Sequence, residues 1–153
     1  MAKDIYEVLK KVHSEAREIL DKLVDSDESD EKMRREKGHL VAIEVIAHHE
    51  AESKCFYKRL EKYDGIKNHI REHQQEHEQA NEMLREWMQI EPTDAQWLPM
   101  LKDIKKELEH HIEDEENELF PQAQELLSED QAEKIAEEFQ HEMHDREEHL
   151  KAA

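Results

Sequence analysis

The pattern of hydrophobic and polar positions predicts a chain made of amphipathic helices. Between about Lys3 and Val24, apolar residues recur at alternating spacings of four and three, so that they share one face of a helix. The members of this stripe are Ile5, Leu9, Val12, Ala16, Ile19 and Leu23. Because an apolar stripe is stable only when it is buried, this first helix needs partner helices to pack against.

Capping and turn residues divide the rest of the chain into four further helical segments. We expect these segments at about residues 30–63, 66–90, 93–120 and 129–151. Ser29 or Asp30 is the expected N-cap of the second helix, and Asp64-Gly65 is its expected stop signal. The turn that follows is so short that the second and third helices should be antiparallel neighbours.

The fourth and fifth helices have boundary signals of their own. Thr93 is the expected N-cap of the fourth helix, while Pro99 either kinks that helix or marks its true start. We expect the fourth helix to end at Phe120-Pro121. Ser128 and Gln131 have the spacing of a capping box, which predicts the start of the fifth helix.

Together these segments predict a single all-α domain over residues 1–153. Its core, at about residues 3–127, is expected to be an up-down-up-down four-helix bundle, and the helix at about 129–151 is an addition to it. The composition agrees, because 41% of the 153 residues are charged and only two are Gly and three are Pro. Such a composition favours long amphipathic helices over sheets.

Net charge and cysteine content narrow the possible partners and compartment. The formal charge of −19 argues against binding to nucleic acid or to an anionic membrane, since both are bound through clustered Lys and Arg. Cys55 is the only cysteine, so no intrachain disulfide can form, and no apolar run is long enough to span a bilayer. We therefore expect a cytoplasmic protein with no nucleic-acid or membrane partner.

Two histidines interrupt the apolar stripe of the third helix. His73 and His77 take positions that packing would assign to Leu, between Ile70 and Ala80. Residues four apart return to the same helix face, so these two imidazoles can bind one metal ion. A single core histidine is usually an ordinary hydrogen-bonded residue, whereas two at this spacing favour metal ligands. His69 lies off the stripe and is expected to be solvated.

The second and fourth helices each place a His-x-x-x-Glu pair on their apolar stripe. These pairs are His48 with Glu52 and His111 with Glu115. The neighbouring His49 and His110 leave the register open, although continuity of the stripes favours His48 and His111. Either pair taken alone is as readily a surface ion pair as a pair of metal ligands.

His13 gives the first helix a candidate ligand as well, so that every helix of the predicted bundle contributes one. An uncompensated buried imidazole or carboxylate costs roughly a few kcal/mol, so seven such groups in one core require a partner that compensates all of them. A cluster of cations is such a partner. Three further histidines, at positions 141, 144 and 149, are expected to lie on a solvated face.

The combined pattern resembles the hemerythrin-like family, also called the HHE cation-binding domain family. The resemblance rests on His13, His48-x-x-x-Glu52, His73-x-x-x-His77 and His111-x-x-x-Glu115, with FY and LFP after the second and fourth motifs, and covers roughly residues 5–127. It implies two iron ions with an oxo or hydroxo bridge. His73, His77 and His111 would ligate one iron, His13 and His48 the other, and Glu52 and Glu115 would bridge them.

Under this resemblance the second iron keeps an open position, at which dioxygen, another small diatomic molecule or peroxide would bind. The oxygen carriers of the family have His-x-x-x-x-Asp on the fourth helix, whereas this chain has His111-x-x-x-Glu115, which matches the HHE-type relatives better. We expect a non-haem di-iron protein that binds dioxygen or a related small ligand, as an oxygen carrier, store or sensor. The alternatives are a di-iron enzyme acting on peroxide, nitric oxide or ferrous iron, and a bundle that holds another metal. The stripes around the ligands show no obvious acid or base, which favours binding over turnover.

Overall fold

The computed structural model describes residues 3–153 and is all-helical, with no strand in that range. Two of its five helices contain a wider π-helical turn. The helices are α1 (Ile5–Val24), α2 (Glu31–Glu52, continuing through the π-turn Ser53–Tyr57 into Lys58–Leu60), α3 (Asp64–Met88), α4 (Trp97–Asp114, continuing through the π-turn Glu115–Leu119 into Phe120–Leu126) and α5 (Glu129–Ala152). The predicted all-α class is therefore confirmed.

Side-chain caps define the start of two helices. Asp4 accepts a hydrogen bond from the Glu7 backbone N–H at 2.9 Å and begins α1. The predicted capping box before α5 is present: Ser128 Oγ accepts from the Gln131 N–H at 3.1 Å, and Gln131 Oε1 accepts from the Ser128 N–H at 2.8 Å. Each such cap satisfies backbone groups that the first helical turn leaves without partners.

The prediction that Asp64-Gly65 stops the second helix is wrong. Helix α2 ends at Leu60, and Asp64 and Gly65 form the first turn of α3. A glycine stop signal works through a left-handed backbone, and no residue between 3 and 153 has a positive φ. The chain instead reverses at Tyr63, which is extended and precedes α3 as its N-cap.

Two boundaries of the fourth helix also differ from the prediction. Helix α4 begins at Trp97 rather than after Thr93, so Pro99 lies in its first turn, where a missing N–H costs no hydrogen bond. Pro121 does not end the helix, which continues to Leu126. Pro121 follows the π-turn and lies in the first turn of the α-helical segment after it, where proline is tolerated. The helix can therefore continue past Pro121.

The apolar core is divided into two clusters. One contains Ile5, Leu9, Phe56, Leu60, Phe120 and Phe139 among its members, and the other contains Leu20, Leu23, Leu84, Trp87, Trp97 and Leu101. Helix α5 packs on α1 and α2 and contributes Phe139 to the first cluster. None of the helices described is both long and apolar enough to cross a membrane.

A close backbone approach marks the second cluster. A Cβ atom added at Gly38 would lie 3.0 Å from the Trp87 ring. That ring has little freedom to move, because its Nε1 donates to the Trp97 carbonyl at 3.1 Å and the Arg34 guanidinium lies 4.5 Å from the centre of the Trp97 ring. Helix α2 therefore approaches α3 closely at this glycine.

Candidate metal centre

A layer of buried polar side chains lies between the two apolar clusters. All seven residues predicted as ligands belong to it, and His49 is an eighth member. Their exposed fractions are 3% for His13, 4% for His48, His49 and His111, 3% for His77, and 0% for Glu52, His73 and Glu115. Four helices contribute to this layer, as the sequence pattern predicted.

Six of the seven predicted ligands form two groups that share one carboxylate. His13, His48 and Glu115 offer ligand atoms that all lie within 4.8 Å of one another, and so do Glu52, His77, His111 and Glu115. Such spacing allows each group to hold one cation. Glu115 therefore contributes a ligand atom to each group.

The two π-turns begin at the two carboxylates. The turn in α2 follows Glu52 directly, and the turn in α4 starts at Glu115. In a π-helix, residues five apart share a face, so the π-turn brings Tyr57 to the same side as Glu52. In a regular α-helix Tyr57 would be rotated away from Glu52 by about 140°. The π-turn therefore positions the Tyr57 hydroxyl in the polar layer.

Carboxylates around the layer orient two of the imidazoles. Glu116 Oε2 lies 2.7 Å from His13 Nδ1, and Glu76 Oε1 lies 3.1 Å from His111 Nδ1. Because an ionised carboxylate only accepts hydrogen bonds, each Nδ1 donates, and each Nε2 is left to face the interior of the layer. His13 Nε2 then faces Glu115 Oε1 at 3.2 Å. This is how proteins commonly orient histidine ligands of a metal.

Three imidazoles approach the middle of the layer. Glu52 Oε1 lies 3.3 Å from His48 Nε2 and 3.2 Å from His77 Nε2. His77 Nε2 is also 3.0 Å from His111 Nε2, so two ring nitrogens point at one another. The Ser53 hydroxyl contacts His77 Nδ1 at 3.1 Å. Nitrogen lone pairs that converge in this way suit a shared cation.

Two carboxylate oxygens test whether a cation fits. Glu52 Oε2 and Glu115 Oε1 are buried and have no hydrogen-bond partner. Native proteins rarely leave such acceptors without a hydrogen-bond partner. Burial without a partner disfavours the charged carboxylate, and it raises the pKa of Glu52 above its usual range. A cation would satisfy both oxygens, so the residues present fit a metal centre.

In the metal-free protein the two histidines of the first group have opposite pKa shifts. Burial lowers the pKa of His48 to about 3, and a charge on His13 acts in the same direction. Burial alone would also lower the pKa of His13, but Glu115 and Glu116 overcome this effect and raise it to about 9. His48 is therefore a neutral imidazole at neutral pH, as a metal ligand must be.

His73 is in the layer but belongs to neither group. Its Nε2 is 2.5 Å from Asp114 Oδ2, and its Nδ1 is 3.3 Å from the Tyr57 hydroxyl. Its ring centre lies 4.5 Å from that of His111. His69, expected to be solvated, is only partly exposed and holds the same Asp114 oxygen at 2.7 Å.

The Tyr57 hydroxyl corrects the expectation that no acid lies near the ligands. It donates to Glu115 Oε2 in a short contact and lies 3.5 Å from His77 Nε2. Burial raises the pKa of Tyr57 well above its usual range, so the phenol keeps its proton. The sequence offered one signal for this residue, the FY pair, but helical spacing alone did not place it.

Burial distinguishes the two neighbouring histidines on α4 but not those on α2. His110 is exposed and His111 is buried. His48 and His49 are both buried; His49 Nδ1 lies 2.8 Å from Asn81 Oδ1, and its ring stacks on His77 at 4.1 Å. His49, His77 and His111 also have ligand atoms within 4.8 Å of one another, so His49 is a further candidate ligand.

A small cavity of about 20 Å³ adjoins the first group. His13, His48 and His111 line one part of it, and the apolar side chains of Ala16, Leu20, Val45, Leu108 and Ile112 line much of the remainder. A cavity of this size holds roughly one water molecule or a molecule of similar size. This space is therefore large enough for a diatomic molecule beside the first group.

The comparisons with known proteins agree with this geometry. Residues 4–123 match the family described as the hemerythrin HHE cation binding domain. No curated protein and no solved structure gives a significant match. The family match covers most of the chain and includes every predicted ligand, which confirms the resemblance inferred from the sequence. The chain therefore belongs to the hemerythrin HHE cation-binding family.

Proposed function

We propose that this chain is a non-haem di-iron protein that binds dioxygen or a related small ligand, as a carrier, store or sensor. The observation that carries the proposal is the pair of ligand groups that share Glu115. By the family resemblance, His73, His77 and His111 would hold one iron and His13 and His48 the other, and Glu52 and Glu115 would offer carboxylate oxygens to both.

The chain's own residues supply charge and orientation to this centre. Two carboxylates offset part of the cation charge, while neutral imidazoles add none. Glu116 and Glu76 hold the His13 and His111 rings with Nε2 directed inward. Bound iron would supply the redox chemistry, and a small ligand would bind on the side of His13 and His48, where the proposed set has one imidazole fewer.

The cavity beside His13 and His48 supports a small ligand. Its lining is largely apolar, and its volume of about 20 Å³ suits a diatomic molecule. Phe139 of α5 packs edge-on against the His48 ring, with centres 5.6 Å apart. The apolar lining and the Phe139 ring would limit the access of water to the proposed binding position.

Filling the cavity tests this proposal. Ala16→Leu places a larger side chain at the cavity wall, and Glu15→Leu places the same side chain on the exposed face of α1 as a control. After anaerobic loading with ferrous iron and reoxidation, we expect two irons per chain in the parent and in both variants. Azide should perturb the optical spectrum of the parent and of Glu15→Leu, and bind weakly or not at all to Ala16→Leu.

Three results would contradict the proposal. A maximum of one iron per chain would exclude the dinuclear centre. Colourless protein that retains zinc in preference to iron would favour another metal, because imidazole also suits zinc and copper. Azide binding that Ala16→Leu leaves unchanged would place the open position away from the cavity.

A di-iron enzyme acting on peroxide, nitric oxide or ferrous iron is the second candidate. Tyr57 supports it, because its hydroxyl donates a hydrogen bond to Glu115 and lies beside the proposed ligands. Consumption of many equivalents of peroxide by the parent, lost in Tyr57→Phe while the iron count stays at two, would favour the enzyme. Recovery of the ferrous form after oxygen is removed, without added reductant, would favour the carrier.

Two further features belong to this proposal. The short connections between α1, α2, α3 and α4 support an up-down-up-down order of the core helices. A cytoplasmic location is supported by the single cysteine, Cys55, which is free and buried.

A further inference from the structure

A second cluster of metal-binding side chains lies on the surface side of the candidate metal centre. It consists of His69 and His73 from α3 and Asp114 from α4. Asp114 Oδ2 lies 2.7 Å from His69 Nε2 and 2.5 Å from His73 Nε2. The ligand atoms of the three residues lie within 4.8 Å of one another, as they must in order to hold one cation.

This cluster reaches solvent, in contrast to the buried centre. The side chains of His69 and Asp114 are 20% and 34% exposed, whereas that of His73 is 1% exposed. Glu52 and Glu115 are fully buried. A cation that arrives from solution can therefore contact His69 and Asp114 without any movement of the helices.

The outer cluster is connected to the buried centre through residues that successive groups share. His73 also belongs to a group with Glu76 and His111, and His111 belongs in turn to the group with Glu52, His77 and Glu115. The side chain of Glu76 is 32% exposed, so this middle group is intermediate in burial. Three overlapping groups thus extend from the surface between α3 and α4 to the centre.

Overlap of this kind permits a cation to move without losing all its ligands at once. Loss of every ligand inside the protein would leave a bare charge in a poorly solvated interior, at a prohibitive cost. Two imidazoles and one carboxylate suit divalent ions of the first transition series. The net charge of −19 raises the local concentration of such cations at the surface.

We propose that His69, His73 and Asp114 form an entry site that captures a divalent transition-metal cation and passes it through His73 to the buried centre. The capture step stands on the outer cluster alone. The passage inward also rests on the proposed metal centre. His69 is a ligand of the entry site only, so its substitution separates entry from final binding.

Stopped-flow mixing of metal-free protein with Co²⁺ tests the entry site, because bound Co²⁺ absorbs visible light. We expect the parent to show a fast phase from the outer cluster and a slow phase from the buried centre. His69→Ala should lose the fast phase and fill the buried centre at least about tenfold more slowly, with a slow phase of the same amplitude as in the parent. His110→Ala removes an exposed histidine of α4 and should behave as the parent.

The result that overturns the entry site is a His69→Ala protein with the fast phase and the slow rate of the parent. A His110→Ala protein that loses the fast phase and fills the buried centre as slowly as His69→Ala would also overturn it, since any surface histidine would then suffice. Absence of the slow phase in every protein, with a fast phase that still depends on His69, would refute the buried centre and retain the capture site. The two proposals can therefore fail separately.

Discussion

Replacing Glu52 by Gln removes one buried negative charge and preserves the shape of the side chain. Without metal, this carboxylate is fully buried, one of its oxygens has no hydrogen-bond partner, and burial raises its pKa. We therefore expect Glu52→Gln to stabilise the metal-free protein and to weaken metal binding. The same substitution should thus have opposite effects on the two forms.

The expected magnitudes are large enough to measure. Replacing the buried charge by a neutral amide should lower the cost of burial by about 1–3 kcal/mol, which raises the Tm of the metal-free protein by about 2–12 °C for a domain of this size. A metal present at about 1000 times its Kd stabilises the parent by about 4 kcal/mol. Glu52→Gln should lose most of that metal-dependent increase.

Thermal melts of both proteins, with and without metal, measure these effects. Glu36→Gln is the control, because it makes the same chemical change at an exposed position of α2 and should leave both melts unchanged. A metal-free Glu52→Gln protein that melts several degrees below the metal-free parent would refute the reasoning. Glu52 would then stabilise the fold through its contacts with His48 and His77.

Two further predictions concern packing and pH. Gly38→Ala should destabilise the protein by about 1–3 kcal/mol in denaturant unfolding, because the new methyl group would lie 3.0 Å from Trp87. At Gly65 an added methyl group would have no atom within 4 Å, so Gly65→Ala should stabilise α3 by about 0.5–1 kcal/mol. Equal effects at the two glycines would contradict the close approach. The Tm of the metal-free protein should be highest near pH 6.5. The pKa of His48, about 3, lies below the unfolded value of 6.5, so its contribution to stability is lost as the pH falls below 6.5. The pKa of His13, about 9, lies above that value, so its contribution is lost as the pH rises towards 9. A Tm that rises steadily from pH 6.5 to 9 would contradict the shift assigned to His13.

The fold was predictable from the sequence because helical periodicity and burial agree along most of the chain. The stripe of α1 and the capping box of α5 are local signals, and both correspond to structure. The Asp64-Gly65 boundary was predicted wrongly because glycine permits a left-handed backbone without requiring one. The reversal instead falls at Tyr63, whose backbone is extended.

The candidate site was predictable only as far as α-helical spacing applies. His13, Glu52 and Glu115 occupy stripe positions and are buried as expected. Tyr57 could not be placed, because its direction depends on a π-turn that periodicity does not reveal. Asp114 also lies off the stripe, and its contact with His73 depends on how α3 packs on α4.

The two π-turns also limit how this site can be transplanted into a designed protein. Idealised bundles use regular α-helices, in which each residue advances by about 100°. Grafting His48, Glu52, His111 and Glu115 onto such helices would keep those four directions, because each pair is spaced by one α-helical turn. Tyr57, which follows the π-turn of α2, would face away from the graft. A faithful copy therefore needs one extra residue built into each of the two helices directly after its carboxylate.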